Sequence, residues 1–133
     1  MWIRGDCPIC GETCVNGGHV TCVDVSEMWI DAAQGQLKKY PNVNFKLGYI
    51  RTLDIQDGTY DVIIMHFVLH HIPHDIQLAS MRALERALKR NGTLFVREPT
   101  KESHGTGVHD IQQLLDASGV HEKEGATLTP SLV

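Results

Sequence analysis

The sequence predicts an α/β domain built on a mostly parallel sheet with flanking helices, and three features predict it. From residue 19 onward, short β-branched runs alternate with longer helical stretches in the order strand, helix, strand, strand, helix, strand, helix, the pattern of parallel strands joined by helical crossovers. The run Val62-Ile63-Ile64-Met65 is apolar at successive positions, as in a central strand covered on both faces. The chain has 133 residues, enough to bury roughly two-thirds of its unfolded surface but too few for two ordinary domains. The expectation is one domain over 1–133, with residues 1–18 forming an atypical Cys- and Gly-rich segment.

Each element has a local reason. His19 to Val25 is β-branched and contains an acid near its end, and Ser26 is a natural N-cap for a helix from Glu27 to about Lys39, which Pro41 stops. Val43 to Leu47 alternates polar and apolar residues as a short strand. Asp57-Gly58 marks a turn before the strongest strand, Tyr60 to Met65. Pro73 sits where the next helix begins, and Ile76, Ala79, Ala83, Leu84, Ala87 and Leu88 repeat at helical spacing up to Asn91-Gly92. Lys89 and Arg90 are expected in its last turn, where positive charge suits the helix dipole. Thr93 to Val96 is the next strand, closed by Glu98-Pro99, and after a polar loop Val108 to Ala117 reads as an amphipathic helix capped by Ser118-Gly119.

Composition narrows the function. Twelve Lys and Arg against 16 Asp and Glu give a net charge of −4, and no basic run supplies the phosphate attraction on which nucleic-acid binders depend. The longest apolar run falls far short of the roughly 20 residues that cross a bilayer. Neither nucleic acid nor membrane is an expected partner. No apolar signal segment opens the chain, so a cytoplasmic, reducing compartment is expected, with the cysteines as thiols or metal ligands.

A strand ending in Asp and followed by Ser and a helix is the arrangement by which a nucleoside-binding α/β domain holds two ribose hydroxyls on one carboxylate. Asp24 fits that role, and a helix N-terminal charge is the plain alternative. The stretch Asp57-Gly58-Thr59-Tyr60-Asp61-Val62-Ile63-Ile64-Met65, the segment Leu69-His70-His71, and Arg90-Asn91-Gly92-Thr93-Leu94 follow in order. With Asp24-Val25-Ser26 before them and Leu114 to Val120 after them, they resemble the class I S-adenosylmethionine-dependent methyltransferases of the small-molecule type. The resemblance covers about residues 19 to 120. It implies a Rossmann-like sheet that binds the methyl donor S-adenosylmethionine across the carboxyl ends of its first, second and fourth strands. Asp24 would then hold the ribose, Val25 and Met28 would flank the adenine, and Met65, His66 and Phe67 would contact the methionine part.

The chain departs from the family pattern in two places. Where the family's third strand ends in Gly-Asp-Ala, this chain has Gly48-Tyr49-Ile50, so a tyrosine replaces the carboxylate that meets the adenine amino group. The family's glycine-rich turn lets the backbone approach the donor's carboxylate, and of it only Gly5 is retained. Cys7-Pro8-Ile9-Cys10-Gly11 occupies the same region and reads as half of a zinc knuckle, which Cys14 with Cys22 or His19 would complete. Core or unpaired thiols are the alternative, and no metal site is favoured.

His66, His70, His71 and His74 lie close in sequence, with His70 and His71 expected on different sides. His66 or His70 is a candidate general base toward an acceptor hydroxyl or amine; a packing role is the alternative for either. Methyl transfer asks little of a base, because alignment of the nucleophile supplies most of the rate. Trp2 and Trp29 are candidate stacking surfaces. The reading is an S-adenosylmethionine-dependent methyltransferase acting on a small molecule. The alternative is a non-catalytic methyltransferase-like binding or dimerisation module with an N-terminal zinc knuckle. The chain is too short for the family's lid and insertions, so a homodimer that covers the pocket is expected.

Overall fold

The computed structural model describes residues 17–99 and 106–121. The chain divides into two compact units, Met1–Asp54 and Ile55–Val133.

In the first unit, strand β1 (Val20–Asp24) leads through helix α1 (Glu27–Leu37) to strand β2 (Val43–Leu47). The strands pair in parallel, from Val20 opposite Val43 to Asp24 opposite Leu47, so their carboxyl ends lie side by side. Cys22, Leu37 and Val43 are buried together, with Val20, Tyr40 and Phe45 packed around them. Ile30 and Leu37 are the buried residues of α1, two helical turns apart and therefore on one face. Ser26 takes the predicted N-cap position in an extended conformation without a side-chain cap bond. Its carbonyl accepts the Ile30 N–H at 3.1 Å. The helix ends at Leu37, slightly before the expected Lys39, as Tyr40 N–H turns back to the Leu37 carbonyl at 2.9 Å.

In the second unit, strand β3 (Tyr60–His66) is followed by a short 3₁₀ turn (Leu69–His71), helix α2 (His74–Ala87), strand β4 (Leu88–Arg97) and helix α3 (Val108–Ser118). β3 and β4 pair in parallel, and α2 packs against β4 and α3. The element order matches the sequence reading throughout. Helix α3 ends with Gly119 in the left-handed region, Gly119 N–H on the Asp116 carbonyl and Val120 N–H on the Leu115 carbonyl. That paired closure is a Schellman motif.

Three expectations need correction. β3 is not covered on both faces among the described residues: Ile63 and Met65 are buried, while Val62 is 48% exposed. The buried stripe of α2 is Gln77, Ser80, Met81, Leu84 and Ala87, rotated from the apolar set read in the sequence, and Ala79 is exposed. The cause is polar: Gln77 Nε2 donates to the carbonyls of Leu69 at 3.3 Å and Ile72 at 3.1 Å, adding a second donor to the Leu69 carbonyl that the turn already pairs with Ile72 N–H. Ser80 donates to the Ile76 carbonyl at 2.9 Å, so both polar residues are accommodated inside.

The third correction concerns Lys89 and Arg90, which belong to β4 and not to the helix end. Arg86 is the base in the last turn of α2. The helix stops because its last carbonyls turn to another segment: Gly58 N–H meets the Arg86 carbonyl at 2.8 Å and Thr59 N–H the Ala87 carbonyl at 2.9 Å. The ladder then jumps from Tyr60 opposite Leu88 to Val62 opposite Thr93, so residues 89–92 bulge from the pairing. Lys89 Nζ reaches Asp61 at 2.9 Å, a solvated pair of small energetic weight.

Gly92 closes this bulge, and a Cβ there would lie 2.9 Å from Leu88 Cδ2 and 3.0 Å from the carbonyl oxygens of Lys89 and Tyr60. The two backbone oxygens cannot move aside cheaply. Gly92→Ala is expected to lower stability by about 1–3 kcal/mol through overpacking. At Gly35, inside α1, an added Cβ meets nothing within 4 Å, and Gly35→Ala should raise stability by about 0.5–1 kcal/mol. Urea unfolding of both variants measures the contrast. Equal effects of the two substitutions would contradict this account of the bulge.

Candidate functional site

Each unit carries its predicted site residues at the carboxyl ends of its own parallel strands, the edge where open α/β sheets bind ligands. In the first unit, Asp24 closes β1. Its carboxylate Oδ1 accepts the Ser26 N–H at 2.8 Å, and its carbonyl accepts the Gly48 N–H at 2.9 Å. Both ends of the residue are thus held, and its side chain has a set direction. Around it lie exposed apolar groups: Val25 at 59%, Met28 at 66% and Tyr49 at 61% exposure, with Trp29 and Leu47 also exposed. Ile50 is half-buried. Gly48 takes a φ of +148°, a conformation that favours glycine, and a Cβ would press on the Leu53 side chain at 3.0 Å.

In the second unit, β3 ends at His66, and Phe67 follows with a φ of +54°, the only non-glycine residue with positive φ among those described. A bulky residue held there stores about 1–3 kcal/mol of strain and persists only where its surroundings impose it. Those surroundings are visible. Phe67 N–H donates to the Arg97 carbonyl at 2.8 Å, its ring lies 4.3 Å from the His66 ring, and the Arg97 guanidinium sits 5.5 Å from its centroid. Met65 is 1% exposed and therefore anchors the strand from inside, leaving Phe67, at 39% exposure, as the accessible member of the predicted trio.

Immediately after Phe67 the chain turns on Glu98. Its side chain is fully buried. Oε1 accepts the N–H groups of Val68 at 2.8 Å and Leu69 at 2.6 Å; Oε2 accepts the His70 N–H at 3.4 Å and lies 2.6 Å from His70 Nδ1. One carboxylate thus serves the start of the 3₁₀ turn, where backbone donors lack partners within the turn. The sequence reading took Glu98 only as the end of a strand. An acid directly after an apolar strand, at the edge where ligands bind, is the signal that could have singled it out.

The histidines also differ from expectation. His70 and His71 do not diverge: their ring centroids are 3.9 Å apart with a 42° tilt, because a 3₁₀ turn replaces the extended backbone that would alternate them. Among the described residues no three His, Cys, Asp or Glu side chains gather as metal ligands. Cys22 is 2% exposed in the first unit's core, whereas His19 is exposed and shares a 2.9 Å hydrogen bond with Asn44. Those two zinc candidates therefore sit in opposite environments. Trp2, Gly5, Cys7, Cys10 and Cys14 lie outside the described residues.

With this geometry in place, comparison with known proteins identifies the chain's family. The family model described as "Methyltransferase domain" matches residues 8–92, and the chain belongs to that family. Arsenite methyltransferase of Mus musculus is 30% identical over 101 residues, covering 68% of this chain and 26% of its own length. The uncharacterized protein YafE of Escherichia coli K12 is 29% identical over 110 residues, covering 79% of this chain and 52% of its own. The chain thus spans between a quarter and about half of these relatives. A TehB-like SAM-dependent methyltransferase from Corynebacterium glutamicum superposes with a TM-score of 0.68 at 19% identity, over 84% of this chain and 58% of that one. The fold is accordingly the Rossmann-like α/β fold of class I methyltransferases.

The Glu98 contacts predict an asymmetric mutational response. Glu98→Ala leaves three backbone N–H groups and His70 Nδ1 without their acceptor and should cost about 4 kcal/mol or more, since each buried orphan costs about 1–3 kcal/mol. His70→Ala removes one donor and leaves the backbone contacts in place. It should cost less than half as much in denaturant unfolding. Equal losses would show that the backbone contacts are not the larger contribution.

Proposed function

We propose that this chain is a cytoplasmic S-adenosylmethionine-dependent methyltransferase acting on a small molecule, with 1–133 as one methyltransferase-like domain. The observation that carries the proposal is Asp24. A carboxylate closes β1, one oxygen fixed by the Ser26 N–H, beside exposed Val25, Met28 and Tyr49. An acid held in this way suits a vicinal diol, and an apolar rim suits a purine, which is the pairing a nucleoside requires. In this reading Asp24 holds the ribose. Val25, Met28, Tyr49 and Ile50 contact the adenine, with the tyrosine in place of the family's carboxylate. The family resemblance assigns Gly5, Met65, His66 and Phe67 to the methionine part, and of the last three Phe67 has the accessible side chain. When bound, the donor supplies an electrophilic methyl group on a sulfonium that leaves as a neutral thioether.

Membership of the methyltransferase-domain family supports this reading, as does the relative whose name specifies arsenite as its methyl acceptor. For the present chain the acceptor proposed is small, since the sequence has no basic run to attract nucleic acid and no helix among the described residues is long and apolar enough to cross a membrane. A homodimer would shield the site from water.

Calorimetric titration with S-adenosylmethionine and with S-adenosylhomocysteine tests the proposal. One-to-one binding of both is expected. Asp24→Ala should weaken it by about ten- to a hundredfold, the loss of hydrogen bonds to a charged acceptor. Absence of binding by the wild-type chain would overturn the proposal.

A further inference from the structure

His70 and Glu98 are 28 residues apart in sequence, yet their side chains make one of the shortest polar contacts among the described residues, 2.6 Å. The Glu98 carboxylate is closed to solvent and the His70 side chain is 21% exposed. The other groups around the carboxylate are the backbone N–H groups of Val68, Leu69 and His70. Backbone N–H groups only donate, so Glu98 acts as an acceptor toward each of them. The shared contact with the ring then takes its hydrogen from Nδ1. Which ring nitrogen of a neutral histidine carries the hydrogen is set by the bond that the other makes. A hydrogen on Nδ1 leaves a lone pair on Nε2.

Glu98 also fixes where that lone pair sits. The same carboxylate that orients the ring holds the backbone of residues 68–70, so ring and main chain cannot turn independently. The preceding residue is the strained Phe67, itself tied to β4 through the Arg97 carbonyl. The His71 ring lies against that of His70, centroids 3.9 Å apart and tilted by 42°. The result is an imidazole with one nitrogen buried on an acid and a partly exposed ring, at the carboxyl end of β3.

We propose that Glu98 is a positioning residue that holds His70 in the Nδ1–H tautomer, so that His70 Nε2 accepts the proton of the methyl acceptor. This deepens the methyltransferase reading and rests on it. It specifies the acceptor class as small molecules whose nucleophilic atom carries an acidic hydrogen, such as a phenol or a thiol. In the step, the acceptor's O–H or S–H hydrogen passes to Nε2. The electron pair left on oxygen or sulfur forms the bond to the methyl carbon, and the pair of the breaking S–CH₃ bond stays on the donor's sulfur. His70 ends as an imidazolium paired with Glu98, and the proton then leaves to solvent. An acceptor without such a hydrogen has no use for this pair.

Long-range ¹H–¹⁵N correlation spectra of the labelled full chain test the proposal without donor or acceptor, so the result is independent of whether S-adenosylmethionine binds. His70 is assigned by the signals that His70→Gln removes. At mildly alkaline pH, where imidazoles are generally neutral, the expected pattern is a protonated Nδ1 and a pyridine-like Nε2. Glu98→Gln keeps an amide oxygen for Val68 and Leu69 but turns an NH₂ toward Nδ1, and should flip His70 to the Nε2–H form. An Nε2–H or doubly protonated ring in the wild type overturns the proposal even if the variant does not fold, and so does a folded Glu98→Gln that leaves the tautomer unchanged. With S-adenosylmethionine and a phenol, which keeps its O–H near neutral pH, Glu98→Gln should lower kcat about a hundredfold with KM little changed, the usual weight of a general base. A loss confined to KM, or donor binding without turnover of the phenol, overturns the assigned acceptor class.

Discussion

The second unit depends on where one buried carboxylate sends its oxygens. Glu98 meets three backbone N–H groups and one imidazole, and those contacts decide how β3 ends. Without an internal acceptor, the donors of residues 68–70 would face a buried environment unsatisfied, a state proteins rarely tolerate. With it, the chain can leave the sheet abruptly, take the positive φ at Phe67 and enter a 3₁₀ turn that delivers Leu69, fully buried, into the core. Gln77 completes the arrangement by donating to the carbonyls of Leu69 and Ile72. The donors of this turn are met by the residue that follows β4 and two nearby carbonyls by Gln77 of α2, which is why that polar residue interrupts the apolar stripe of the helix.

The first unit solves a similar problem with fewer parts. Asp24 and Gly48 join the ends of β1 and β2, one through a carbonyl and the other through an N–H, while the Asp24 side chain stays tied to Ser26. The apolar interior lies on the other residues, Cys22 and Val43 with Leu37 of the helix. What remains at the strand ends is a set of exposed apolar side chains around a fixed acid. Exposed groups of that kind are costly to leave in water, and in the proposed reading they hold a nucleoside beside the oriented carboxylate.

Much of this was legible in the amino-acid order. The alternation of β-branched runs with helical spacing gave all four strands and three helices in sequence, and Asp24 at the end of β1 was readable because both its neighbours and its chemistry are local. Glu98 was harder to read: its partners are 28 to 30 residues away, and its place after an apolar strand marks an acid at the sheet edge without marking it as buried. The Leu88–Gly92 segment was misread for a related reason. Its residues suit a helix end, but the carbonyls of Arg86 and Ala87 are taken by Gly58 and Thr59, and pairing with a distant strand overrides local propensity. The closeness of the His70 and His71 rings likewise follows from a 3₁₀ turn that depends on Glu98 and has no sequence signature of its own.

The central claim is that the carboxyl end of β1, at Asp24, receives the nucleoside part of a methyl donor. Backbone amide spectra recorded through a titration with S-adenosylhomocysteine address it residue by residue. The account predicts that shifts concentrate at residues 24–28 and 47–50, with the helix α3 amides of 108–118 largely unmoved. Shifts confined to α3, or none at saturating ligand, would contradict it.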